Sequence, residues 1–297
     1  MPTDVSAAFE EFARRLRTLP GETAAQGAHR ISIDACLRSN LGMKSMFTSG
    51  SFGRGTNIPN HSDVDRFAIF PADVWEASSR AALIKVLIGL RRRFPTTSIR
   101  IDSPGVRIDF ADGEELNEVI PVFQVSEAPS ARVFIMPDRI GRAWMKAAPE
   151  ANTNFIDEVD QARGERVRPL IRFTKAWKYV NNFRFISSFY LEMFVATYAN
   201  TLPGAWLHRI EYGRDLEKVF RTLAVQSFPP IQDALGIQIE AAVGWSRSAA
   251  RGTALAAANV VATANNHAAA ALPWNSRMRA AFVVWQKLFN GKFPAYG

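Results

Sequence analysis

The segment Gly50-Ser51-Phe52-Gly53-Arg54-Gly55-Thr56 is followed, after a short spacer, by Ser62-Asp63-Val64-Asp65. These residue types in this order suit one chemistry, the transfer of a nucleotidyl group from a nucleoside triphosphate. Gly50 has no Cβ, so the backbone there can come close to a phosphate. The Ser51 hydroxyl and neighbouring backbone N–H groups can cradle β- and γ-phosphates. Arg54 can add charge to that cradle, and Thr56 reads as a loop-stabilising residue. Residues 64–70 are apolar and β-prone, so Asp63 and Asp65 fall at the start of a strand with both side chains on one face. Two carboxylates so close repel unless a cation lies between them, and magnesium prefers such hard oxygen ligands. Two ions about 3.5–4 Å apart would stabilise the attacking and leaving oxygens of an in-line displacement. An Asp-x-Asp pair alone is common at strand ends; behind a Gly-Ser turn it reads as a metal site.

A third acid usually completes such a site. Asp109 lies in Val106-Arg107-Ile108-Asp109-Phe110, and Glu118 lies in Asn117-Glu118-Val119-Ile120-Pro121. Residues 98–101 and 106–110 read as strands. Ala111-Asp112-Gly113-Glu114 is a hairpin turn, and residues 115–123 return as the partner strand, with Pro121 marking its end or a sheet edge. Periodicity leaves both acids open.

Helices must frame these strands. Apolar spacing predicts helices over 5–16 and 24–41, and a further helix entered through Pro71-Ala72-Asp73 and running to about residue 93. Residues 44–48 form a short strand. The first half is therefore helices around a small, mostly antiparallel sheet. In the second half 166–181, 185–200 (capped by Ser187-Ser188), 214–228, 239–264 and 274–289 read as helices, and no strand stands out. An α/β catalytic half thus precedes an all-helical half, with a boundary near residues 150–165.

Bulk properties agree with that division. A chain of 297 residues can form one large domain or two ordinary ones. It is 47% hydrophobic and 22% charged, the profile of a folded soluble protein. No run is apolar enough to span a bilayer, and Met1-Pro2-Thr3-Asp4 carries no signal core, which points to the cytoplasm. The single cysteine, Cys36, excludes an intrachain disulfide and reads as core packing. Four scattered histidines and that cysteine do not make a standard zinc site. A net charge of +8 implies polyanionic company: nucleotides, nucleic acid or an acidic partner.

The motifs resemble the cGAS/DncV-like nucleotidyltransferases (CD-NTases) of bacterial antiphage CBASS systems, within the polymerase-β superfamily that also includes oligoadenylate synthases. The family pattern is a Gly-Ser turn, an Asp-apolar-Asp pair, then an acid in an acid-Val-apolar-Pro-Ala-Phe strand. This chain reads Gly50-Ser51, Asp63-Val64-Asp65 and Glu118-Val119-Ile120-Pro121-Val122-Phe123. The resemblance places the third acid at Glu118, where aspartate is commoner in the family, and leaves Asp109 as the alternative. It extends to a basic-aromatic helix, Ile171-Arg172-Phe173-Thr174-Lys175-Ala176-Trp177-Lys178, and to Ser188-Phe189-Tyr190-Leu191-Glu192. It implies that Lys175 and Ser188 contact the triphosphate and that Phe189 stacks on a base, a contact worth about 1–3 kcal/mol. The closing Phe289-Asn290-Gly291-Lys292-Phe293-Pro294 also resembles the family.

The implied fold is α+β: a polymerase-β-like nucleotidyltransferase domain with a small mixed sheet over residues 1–160, its first helix reaching across both lobes, and an oligoadenylate-synthase-like helical domain over 161–297. The implied activity is synthesis of a cyclic di- or trinucleotide second messenger from NTPs, ATP among them. It would use two Mg2+ ions (or Mn2+) on Asp63, Asp65 and Glu118. The resemblance also implies activating or conjugating partner proteins from the same operon, with Gly297 as the conjugation site; membrane is not expected and nucleic acid is not required. The alternatives are a template-independent RNA or tRNA (CCA-adding-like) nucleotidyltransferase, a linear oligoadenylate synthase, and an inactive relative that binds through its basic surface.

Overall fold

The computed structural model describes residues 1–17, 20–59, 61–74, 76–110, 115–128, 131–183, 186–204, 207–240 and 244–297. They form two compact units: Thr18–Asn154 with Asp233–Gln238, and Met1–Arg17 with Phe155–Gln232 and Ile239–Gly297.

The first unit is built on a mixed sheet. Its elements are α2 (Pro20–Leu41), β1 (Ser45–Thr48), α3 (Gly50–Gly53), β2 (Val64–Ile69), α4 (Ser79–Arg93), β3 (Ser98–Asp102), β4 (Gly105–Phe110), β5 (Glu115–Ala128), β6 (Ala131–Pro137) and β7 (Trp144–Ala147). The order β1-β2-β5-β4-β3 is extended by β6 on β5 and β7 on β6. Among the described residues β2–β5 is the one parallel ladder and the others are antiparallel. On β4, Val106, Ile108 and Phe110 are buried while Arg107 and Asp109 are partly exposed, the alternation of a sheet with one covered face. The apolar set joins Ile33, Cys36 and Leu37 of α2 and Leu83, Val86 and Leu90 of α4 in one core. The opposite face carries Asp65 and Glu118, and further along the same strands Phe67, Ile69, Ile120 and Val122 cluster with Phe134 of the neighbouring β6.

Several expectations need correction here. β5 is neither short nor an edge: it runs through Pro121 to Ala128 and pairs with three strands. The Val122 carbonyl faces β2, accepting from Phe70 N–H at 2.9 Å, so Pro121 faces the other flank. On that flank the β4 ladder ends at Val119 and the β6 ladder begins at Phe123, so Pro121 occupies a gap where no N–H is required. Among the described residues between β2 and α4 the chain makes a 3-10 turn, Ala72–Val74. Between them the Glu76 carbonyl is held by Trp144 Nε1 at 3.0 Å. Gly50–Gly53 is a single helical turn rather than an open loop. The expected hairpin turn at 111–114 lies outside the described residues, although Phe110 and Glu115 are register partners.

The second unit is helical: α1 (Val5–Arg15), α5 (Pro149–Ala162, which begins in the first unit), α6 (Val167–Val180), α7 (Ser188–Thr201), α8 (Tyr212–Val225), α9 (Gly244–Ala269) and α10 (Trp274–Leu288). Asp4 caps α1, accepting from Ala7 N–H at 2.8 Å. Buried Phe9 and Phe12 of α1 enter an aromatic cluster: Phe9 lies 4.9 Å edge-on to Trp285, and Phe12 stacks on Phe173 at 5.4 Å. Such pairs add about 0.5–1.5 kcal/mol each beyond area burial, which explains why the first helix belongs with the helices from the far end of the chain. A two-stranded ladder, β8 (Ile231–Gln232) with β9 (Ile239–Glu240), corrects the strand-free expectation, and β9 occupies the start of the helix expected from residue 239. Asp233 folds the intervening turn by accepting from Ile237 and Gln238 N–H at 2.8 and 3.2 Å. No helix among the described residues is long and apolar enough to cross a membrane.

Candidate active site

Asp65 and Glu118 are register partners in the parallel β2–β5 ladder, so they stand side by side on one face. Asp63, two residues before Asp65, joins them: one carboxylate oxygen from each of Asp63, Asp65 and Glu118 lies within 4.8 Å of the others. All three are half-buried. Burial pushes the Glu118 carboxyl well above the ordinary glutamate value, and repulsion from Asp65, Asp63 and Asp102 adds to the rise; the Gly105 N–H, bonded to Glu118, opposes it. This is a hard, oxygen-only donor set whose charges conflict until a cation joins them, and it fits magnesium or manganese.

Asp109 does not join the cluster. It shares the sheet face but sits opposite Leu116, one pleat away from the Arg107–Glu118 pair. Its carboxylate accepts from Arg107 Nε at 2.8 Å and is ion-paired with Arg100. Burial raises its pKa, but the Arg107 and Arg100 guanidiniums outweigh that and hold the carboxyl below its ordinary value. Asp109 is thus the counter-ion of two arginines.

The Gly-Ser turn abuts the cluster. Gly50 has φ +59°, and a Cβ there would overlap the Asp65 carboxylate and lie 2.9 Å from Asp65 Cβ. Only glycine serves both needs. Ser49 N–H donates to the Asp65 carbonyl at 2.8 Å, tying the turn to β2. Ser51 is in the first turn of α3, and its carbonyl accepts from Thr56 N–H at 2.8 Å, which gives Thr56 its loop-stabilising place. Arg54 is buried.

In the helical unit the expected residues lie on α6 and α7. Lys175 has a side-chain exposure of 0% and pairs at 2.6 Å with Glu192, also 0% exposed. It is one half of a core ion pair. Lys178 is the ammonium that reaches Ser188 Oγ, at 3.1 Å, and Tyr179 Oη is 3.0 Å from the same oxygen. Ser187, not Ser188, caps α7, accepting from Tyr190 N–H at 3.0 Å. That leaves the Ser188 hydroxyl directed to Lys178 and Tyr179. Phe189 is partly buried against the helical core. Gly297 N–H donates to the Pro2 carbonyl at 3.2 Å. Lys178, Tyr179, Asp102 and Gly105 were not singled out from sequence. Periodicity gives no signal for Lys178, since Ile171, Lys175 and Lys178 all fall on one stripe of α6.

Among curated proteins none matches the sequence. Solved structures do. The chain is similar to E. coli MS115-1 CdnC with ATP, at 19% identity and TM-score 0.75, covering 99% of this chain and 100% of that one. The same CdnC in a CdnC:HORMA-deltaN complex matches at 17% identity and TM-score 0.70, covering 98% of each chain. Vibrio cholerae DncV cyclic AMP-GMP synthase, in complex with the linear intermediate 5' pppA(3',5')pG, matches at 12% identity and TM-score 0.79, covering 99% of this chain and 97% of that one. These likenesses show the fold, an α+β polymerase-β-like nucleotidyltransferase fold with a helical C-terminal region. The model of the Second Messenger Oligonucleotide or Dinucleotide Synthetase domain matches residues 4–160, more than half of the sequence. The chain belongs to that family, the cGAS/DncV-like nucleotidyltransferases.

Proposed function

We propose that this chain is a divalent-metal-dependent nucleotidyltransferase that joins NTPs, ATP among them, into a cyclic di- or trinucleotide second messenger for antiphage defence. The observation that carries this reading is the convergence of Asp63, Asp65 and Glu118 within 4.8 Å, beside the Gly50-Ser51 turn. Bound magnesium would neutralise phosphate charge and activate a hydroxyl at this centre.

The chain's own residues then have distinct tasks. Asp63 and Asp65 present carboxylates from one strand face. Glu118 joins them from the neighbouring strand and stands as the acceptor for the proton of the attacking ribose hydroxyl. That oxygen bonds to the α-phosphorus and pyrophosphate leaves. Ser51 and the α3 backbone hold phosphate oxygens. In the helical unit Lys178 and Ser188 supply a cation and a hydroxyl already set for a phosphate. Repetition of the transfer and closure on the first nucleotide give the ring. The CdnC:HORMA-deltaN complex supports a reading in which this chain, too, assembles with a partner protein.

The test is incubation of the purified chain with all four NTPs and Mg2+ or Mn2+, with products identified by mass spectrometry. Cyclic products from the wild type and none from D63N/D65N support the proposal. Products that persist in the double variant, or that form only when tRNA is added, overturn it.

A further inference from the structure

Glu118 carries one methylene more than Asp63 and Asp65, yet its carboxylate lies with theirs. The extra length is accommodated at Gly105, the first residue of β4. A Cβ at residue 105 would stand 2.5 Å from Glu118 Cγ, 2.8 Å from Oε1 and 3.0 Å from Cδ. The first two separations are too short for non-bonded heavy atoms, and the third is tight. The first is to a mid-chain carbon, so a small rotation of the carboxyl end does not relieve it. The Gly105 N–H also bonds to the Glu118 carboxylate, so the same residue supplies both space and a donor.

Backbone conformation does not call for glycine here. The glycines with positive φ are Gly42, Gly50, Gly55, Gly141, Gly164, Gly236 and Gly291, and Gly105 is not among them. A glycine in a strand weakens it and marks a place where something approaches closely. At residue 105 what approaches is Glu118.

We infer that Gly105 is a positioning residue for the metal centre, matched in size to Glu118, so that glutamate at 118 requires the absence of a side chain at 105. The inference rests on reading Asp63, Asp65 and Glu118 as a metal site.

The experiment is a double-mutant cycle of G105A and E118D. It is read by Mn2+ binding to the metal-stripped protein, using paramagnetic resonance and calorimetry, with thermal unfolding in chelator as the control for folding. In the wild-type background G105A weakens Mn2+ binding by about tenfold or more, the scale seen when a group orienting a ligand is lost. In the E118D background the shorter side chain clears residue 105, and G105A changes the affinity less than about twofold. Equal losses in both backgrounds, no loss in the wild-type background, or failure of G105A to fold in both overturns the inference. If the wild type itself binds no Mn2+, it is the metal-site reading that fails.

Discussion

Asp65 and Glu118 sit opposite one another in the parallel β2–β5 ladder of the sheet, and Asp63 closes on both from the approach to β2. The fold thus brings like charges together at a fixed spacing before any cation arrives. The neutral pair in D63N/D65N keeps the size and polarity of the side chains while removing that repulsion. Product formation is expected to fall at least about a hundredfold, the scale of losing a preorganised electrostatic group. Thermal unfolding in chelator is expected to be no lower than for the wild type. A double variant that unfolds early would show that the acids hold the fold rather than a metal.

Glu118 makes the centre pH-sensitive, and the sign follows from its raised pKa. Above the ordinary glutamate value of 4.5 the unfolded chain has lost this proton while the folded, metal-free chain keeps it. The folded state then binds more protons, so stability falls as pH rises through the window up to the raised pKa. Metal binding must displace the same proton, so divalent affinity rises with pH across that window. Thermal unfolding in chelator and Mn2+ titrations, each measured against pH, are expected to show opposite trends. E118Q is expected to flatten the first and to lose most of the second.

The acid pair and its glycine turn were legible because they are local: a Gly-Ser turn and an Asp-x-Asp at the head of an apolar strand are set by adjacent residues. The choice between Glu118 and Asp109 was not, because both point to the same sheet face and only strand register decides which one meets Asp65. Register is a tertiary property. The burial of Lys175 was hidden for a related reason. Hydropathy scores a lysine as polar whether or not a buried Glu192 waits across the helix pair, so an internal ion pair resembles a surface charge in sequence. Pro121 argued for an edge by a sound rule, yet the gap between two partner strands satisfied that rule at the centre of the sheet.

Asp109 offers a direct comparison with Glu118. Its carboxyl is held low by Arg107 and Arg100 against the effect of burial, so its contribution to stability is present at neutral pH and is lost on acidification below the ordinary value of 3.8. D109N is expected to remove that part of the acid dependence of thermal unfolding and to retain Mn2+ binding. Loss of binding in D109N with retention in E118Q would exchange the two roles.

Lys175 and Lys178 are one helical turn apart and are expected to fail in different ways. K175M leaves Glu192 buried with its cation removed, and breaking a buried pair from one side costs about 3–5 kcal/mol. Thermal unfolding is expected to drop sharply, with activity lost through folding. K178M removes an ammonium that is partly open and bonded to a hydroxyl, so unfolding is expected to stay near that of the wild type. Its cost is expected in the KM for NTP, because a cation facing phosphate contributes to binding of the substrate before any bond changes. Unfolding curves and NTP saturation measured on both variants separate the two cases. A K178M enzyme with unchanged KM would remove Lys178 from the nucleotide site, whereas a stable K175M enzyme with a raised KM would restore Lys175 to it.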